Sequence, residues 1–187
     1  MRSRWLLLVC GCSVLAGCGN SRTRAPDLSI AAPAAGFTRQ AFSSAGLTLR
    51  SPNGWALQPG SPPLVVAVRS GLAAVVVWRY PRTQPLPRTA RALHLALRHL
   101  VAAVRARDAT FRLGSAAVVP VAHRGAIQLR GLETIDGQRR EVRSTHVYAH
   151  GAELVIDAFA PPAQFRRVDR QVFHPLLRSV GVTAPGP

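Results

Sequence analysis

Four of the eight acidic side chains, Glu133, Glu141, Glu153 and Asp157, fall near Arg130, Arg140 and Arg143 in the chain. Two carboxyls held close together in different surroundings can do general acid–base work. The stretches around these acids alternate like strands, however. Opposite charges across a strand pair account for the same residues without chemistry. Asp136 reads as a turn residue. Among the histidines, His94 and His99 are five apart in a segment of helical periodicity, which turns them about 140° from each other. His146 and His150 share a strand side but are separated by roughly 13 Å of strand rise. Neither pair has the geometry of two ligands on one metal. HExxH, GxSxG and a glycine-rich phosphate loop are all absent from the sequence. No catalytic set, metal site or cofactor is expected, and the chain is read as a non-enzyme.

Cysteine chemistry is confined to the first eighteen positions, at Cys10, Cys12 and Cys18. Arg2 and Arg4 precede an apolar run from Trp5 to Leu15. A run of that length is short for a bilayer span but suits the core of a signal peptide. The following Leu15-Ala16-Gly17-Cys18 resembles a bacterial lipobox. That resemblance implies a diacylglycerol on the Cys18 sulfur and cleavage just before it, so residues 1–17 are the expected leader. Cys10 and Cys12 leave with it. The mature domain must then stand outside the cytoplasm without a disulfide. Two acyl chains hold a protein stably on a membrane where one would not. Gly19 follows the cysteine where Asp is absent, a pattern resembling that of outer-membrane lipoproteins. The expected location is the cell membrane or outer membrane, lipid-anchored on the extracytoplasmic face.

Charge narrows the partners. The chain carries 24 basic and 8 acidic residues for a net +16, and every basic residue is Arg. Such a balance raises nucleic acid as a ligand, but export argues against it, and no recognition motif is present. An envelope protein, an anionic lipid surface or an acidic polymer fits better, with each basic residue near an anionic membrane contributing ~1 kcal/mol. Two cationic groups are the candidates for anion or partner binding. One is a stripe of Arg88, Arg91, Arg98 and Arg105. The other is Arg166, Arg167 and Arg170. Exposed helix faces carry charge in any case, so both also fit an ordinary solvated surface.

The elements that must position these residues are readable in outline. Residues 18–45 mix Ser, Thr, Pro, Ala and Gly without sustained periodicity, which predicts a lipidated cysteine followed by a flexible tether. "GLTLRSPNGW" opens the domain with a short strand and a turn. "PLVVAVRSGLAAVVVWRY" reads as two strands joined at Ser70-Gly71. Trp55 and Trp78 are expected in the core. Residues 88–107 are a helix whose Ala90, Leu93, Ala96, Leu97, Leu100, Val101 and Val104 share one face. Three strands follow, with tight turns at Asp136-Gly137 and His150-Gly151. Pro161-Pro162 starts a last helix that runs to about Val180. The order β-β-β-α-β-β-β-α predicts an α+β fold, with a central antiparallel sheet of about six strands flanked by two main helices.

The opening "LTLRSPNGW", the hairpin "LVVAVRSGLAAVVV" and the closing "GAELVIDAFAPPAQF" with "VFHPLLRSV" together resemble the PsbP-like α/β/α sandwich, in particular its bacterial lipoprotein branch. The likeness spans a globular domain over 46–182, with 183–187 left as a tail. It implies a non-catalytic binding or assembly module tethered to a membrane and supplies no catalytic residues. The alternative is a lipid or small-ligand carrier in the cell envelope, which needs an apolar cavity between sheet and helices.

Overall fold

The computed structural model describes residues 27–186, so the expected leader and Cys18 lie outside the described residues. Seven antiparallel strands form the main sheet. In spatial order they are β3 (Ala56–Pro59), β4 (Leu64–Ser70), β5 (Ala73–Pro81), β9 (Ala152–Ala160), β8 (Gln138–Ala149), β7 (Arg124–Ile135) and β6 (Arg112–Val121). A second sheet has three strands, with β2 (Leu47–Pro52) between β1 (Phe37–Phe42) and β10 (Gly181–Val182). The architecture is α+β as expected. The central sheet expected at about six strands has seven, and the small sheet stands in addition.

Alternation sorts the main sheet into two faces. Val66, Val68, Val75, Val77, Leu154 and Ile156 are buried on one face. They pack under α2 (Pro162–Val168), a π-helical turn (Asp169–Phe173) and α3 (His174–Arg178), which run on as one rod. Pro162 stands in the first turn, where its missing N–H costs no hydrogen bond. Phe165 and Phe173 are fully buried and tilt together at 5.8 Å, and Trp55 meets Phe173 edge-on at 6.3 Å. An ion pair crosses this layer. Arg143 on β8 donates to Asp169 of the π turn at 2.6 Å, and Arg130 on β7 lies 3.8 Å from the same carboxylate and over the Phe165 ring.

The opposite face carries α1 (Ala90–Arg107). Thr89 caps it, its hydroxyl oxygen accepting from the Ala92 N–H at 3.2 Å, and Arg105 and Arg107 complement the negative end of the helix. The helix rests on β6 and β7 around buried Leu93, Ile127 and Leu129. The expected apolar face is present, but Ala96, Leu97, Leu100, Val101 and Val104 are only half-buried.

Both ends of the expected domain are corrected. The stretch read as tether is ordered from Asp27. Ala31 is 1% exposed, its N–H donates to Gln164, and its carbonyl accepts from Arg167. The carbonyl of Ala32 accepts from the Trp55 indole, and β1 pairs with β2 over its whole length. This segment is held by backbone hydrogen bonds rather than by an apolar stripe, and composition does not register that. The expected tail also folds back. Thr183 donates to the Gly46 carbonyl and Gly186 to that of Ser43. The last helix stops at Arg178, and Gly181 opens β10 instead of only ending a helix.

Candidate functional site

A row of polar side chains crosses the α1 face of the sheet. Ser144 Oγ lies 3.0 Å from His146 Nε2, and His146 Nδ1 lies 2.7 Å from Glu153 Oε1. The Tyr148 hydroxyl donates to Glu153 at 3.2 Å, and Arg82 pairs with its other oxygen at 2.9 Å. Burial works to raise the Glu153 carboxyl. The hydrogen bond and charge of His146, the charge of Arg82 and the Tyr148 hydroxyl outweigh it and hold the group below its ordinary value. Burial pushes the Tyr148 phenol well up, aided by the Glu153 charge, so it remains a donor.

Serine, imidazole and carboxylate in this order share the connectivity of a nucleophilic triad. Two observations argue against a reaction. β8 is paired on both sides, so its amides are committed to the sheet rather than aimed at a developing oxyanion. Asp157 stands directly across from Ser144 and places a carboxyl where negative charge would grow. Burial raises Asp157, against the nearby Ser144 hydroxyl and His146, and its Oδ1 has no partner among the described residues. Glu133 on β7 is likewise raised, by burial and then by the charges of Asp157 and Asp108. The expected cross-strand pairing holds in part. Arg130 reaches Glu141 at 3.5 Å, while Glu153 is claimed by Arg82 and His146, and Arg140 donates to Gln138.

Two clefts flank the segment that leads into α1. One, of about 490 Å³, runs between Arg82–Pro87 and the helix, with Leu95, His99 and Ala103 on its wall and Tyr148 and Glu153 at its base. The other, of about 540 Å³, opens toward the β6–β7 and β8–β9 turns and includes Arg88, Leu93, His123, Arg124, Tyr148 and His150. Tyr148, Leu86 and Pro87 belong to both. By contrast, the gap between the sheet and α3, bounded by Val75, Ile156 and Phe173, is about 10 Å³.

The two expected cationic groups are not brought together. Arg91, Arg98 and Arg105 are exposed along α1, while Arg88 precedes the helix and enters the larger cleft. Arg166 and Arg170 are exposed on the opposite layer, and Arg167 is engaged with the Ala31 carbonyl. Trp55 is buried as expected, but Trp78 is half-buried on the α1 face, across from Val155. No group of three metal-ligating side chains occurs among the described residues. The link between His146 and Glu153 was missed because His146 was weighed only against His150. The β8–β9 turn carried the signal. It sets Tyr148 opposite Glu153 and makes His146 its diagonal neighbour on the same face.

By sequence, no family model matches the chain and no curated protein is significantly similar. Similarity appears in three dimensions. The cyanobacterial PsbP protein CyanoP of Synechocystis sp. PCC 6803 superposes with a TM-score of 0.60 at 15% identity, covering 87% of this chain and 99% of that one. LpqN of Mycobacterium tuberculosis, described as involved in cell envelope biogenesis, gives 0.55 at 18% identity over 79% and 91%. The Ran-binding protein Mog1p of Saccharomyces cerevisiae gives 0.53 at 10% identity over 80% and 96%. At these identities the likeness concerns the fold, and the conclusion it supports is that this chain folds as a PsbP-like α+β domain.

Proposed function

We propose that the chain is an envelope lipoprotein, anchored through Cys18, whose PsbP-like domain is a non-catalytic binding module working through the surface around α1. The observation that carries this reading is the contrast between the two layers. The sheet packs tightly on α2 and α3, with a gap of about 10 Å³, whereas the α1 side opens into clefts of about 490 and 540 Å³. Clefts of that volume suit a small ligand or the protruding part of a partner. The contrast speaks for binding at the α1 surface and against a lipid carried between the sheet and the α2–α3 layer. It leaves a small-ligand carrier using the α1 clefts as the second reading. The neighbours include a protein described as involved in envelope biogenesis and one described as binding a partner protein, which supports a binding role. No helix among the described residues is long and apolar enough to cross a membrane, consistent with attachment by an anchor.

The anchor is tested by replacing Cys18→Ser in the full chain, expressed in a bacterium that processes lipoproteins. Loss of acyl labelling, with release from the membrane fraction, is expected. Full membrane retention of the variant would sink the lipoprotein reading.

A further inference from the structure

The geometry points to the 540 Å³ cleft at the β6–β7 and β8–β9 turns as a binding site for a phosphate-bearing ligand. This rests on the reading of the α1 surface as the binding surface and names its ligand chemistry. Arg88, His123, Arg124 and His150 line the cleft, and no acidic residue does. They come from three separate places in the chain, the approach to α1 and two hairpin turns, and only the fold gathers them. Neither Arg88 nor Arg124 forms an ion pair among the described residues. Glu153, which the Tyr148 hydroxyl of the cleft wall reaches, is already bound by Arg82 and His146 as well. Like charges gathered in a concave site raise the local potential and favour an anion that supplies the missing charge.

The rim is formed by the two-residue β6–β7 and β8–β9 hairpin turns, whose geometry calls for left-handed backbone. Ala122, His123 and His150 all have left-handed φ, at 50°, 59° and 47°. Glycine or asparagine adopts such positions more cheaply, by about 1–2 kcal/mol per residue. The β8–β9 turn is further pinned by Arg79, whose guanidinium donates to the His150 carbonyl, and by the Arg82 N–H on the Gly151 carbonyl.

Ligand class follows from charge and size. A carboxylate carries one charge and is satisfied by a single guanidinium fork. A phosphate monoester carries about −1.5 to −2 at neutral pH and offers three acceptor oxygens, which matches two guanidiniums with two imidazoles beside them. A cleft of about 540 Å³ exceeds a bare phosphate and leaves room for the group that bears it. Tyr148, Leu86 and Pro87 supply an apolar wall for that group.

The test is calorimetric titration of the full Cys18→Ser chain with inorganic phosphate at constant ionic strength. Saturable binding is expected. Arg88→Gln and Arg124→Gln should each weaken it by about tenfold, as for the loss of a charge-assisted hydrogen bond, whereas Arg39→Gln, exposed on β1 of the small sheet, should leave it unchanged. The imidazole NMR signals of His123 and His150 should move with phosphate. Two further arms separate the sources of the phosphate. Stronger binding of glycerol 3-phosphate than of phosphate would assign a soluble ester. Capture by phosphatidic acid vesicles but not by phosphatidylcholine vesicles, lost in Arg124→Gln, would assign a lipid headgroup. Absence of saturable binding, or equal weakening by Arg39→Gln, would overturn the site. Because the titration does not use the anchor, its failure is distinct from failure of the lipoprotein reading.

Discussion

Two carboxyls on one face of β9, four residues apart, are both pushed up by burial yet end on opposite sides of their ordinary values. His146, Arg82 and Tyr148 outweigh burial at Glu153, whereas one oxygen of Asp157 has no partner among the described residues. Glu153 is held below its ordinary 4.5, so it contributes stability above that pH and loses it as pH falls through its folded value. Asp157 is raised above 3.8, so its ionisation weakens the fold as pH rises through its folded value. Glu153→Gln should therefore destabilise near neutral pH by about 1–3 kcal/mol, since it strips Arg82 and His146 of a buried charged partner. Asp157→Asn should raise the melting temperature near neutral pH, with ~1 kcal/mol corresponding to about 2–4 °C in a domain of this size. The gain should vanish below about pH 3.8, where the wild-type carboxyl is protonated in both states. Thermal melts of both variants across acid pH check the pair, and a stabilising Glu153→Gln or a destabilising Asp157→Asn at neutral pH would contradict it.

Strands with a buried face announced themselves at the level of elements, and strands without one did not. β4, β5, β7, β8 and β9 alternate cleanly and end in turns rich in Gly and Asp, so periodicity finds them. The β4–β5 turn is only one residue from its expected place, at Gly71-Leu72. β1, β3 and β10 bury little or are too short for a pattern, and β6 offers one fully buried residue in ten, Val121. Their positions depend on pairing with distant strands, which no local window contains. The candidate site shows the same division. Helical spacing revealed the arginines of α1, but the gathering of Arg88 with two hairpin turns is a product of topology. One glycine links these elements. Gly46 is left-handed at φ +59°, and a Cβ there would collide with the Thr183 carbonyl oxygen. Gly46→Ala should cost about 1–2 kcal/mol for the backbone alone, plus the displacement of the C-terminal segment. In a chain ending at Val182 only the backbone part should remain. Melting of the two variants with and without the last five residues measures the difference, and equal costs would show that the contact with Thr183 does not matter.

For the whole molecule, the order of residues 27–45 shortens the reach of the expected tether. Between Cys18 and Asp27 the chain spans at most roughly 32 Å when fully extended. Ser29 and Ile30 sit at the β4–β5 turn, where the Leu72 N–H donates to the Ser29 carbonyl. The phosphate cleft lies at the other end of the strands, about 35–40 Å away along β8. An anchored domain should therefore hold Gly71 toward the bilayer and His123 away from it. Fluorophores at the two positions, quenched by nitroxide headgroups, should report the nearer one at 71, and the reverse order would reject this orientation. The meeting of the two chain ends bears on the timing of synthesis. β2 is among the first strands to leave the ribosome, yet its partner β10 and the residues that close on Ser43 and Gly46 are among the last. Until they emerge, one edge of β2 lacks its backbone partners. Closure of the small sheet therefore waits for residues 181–186, so this part of the domain is completed after every strand of the main sheet has been made.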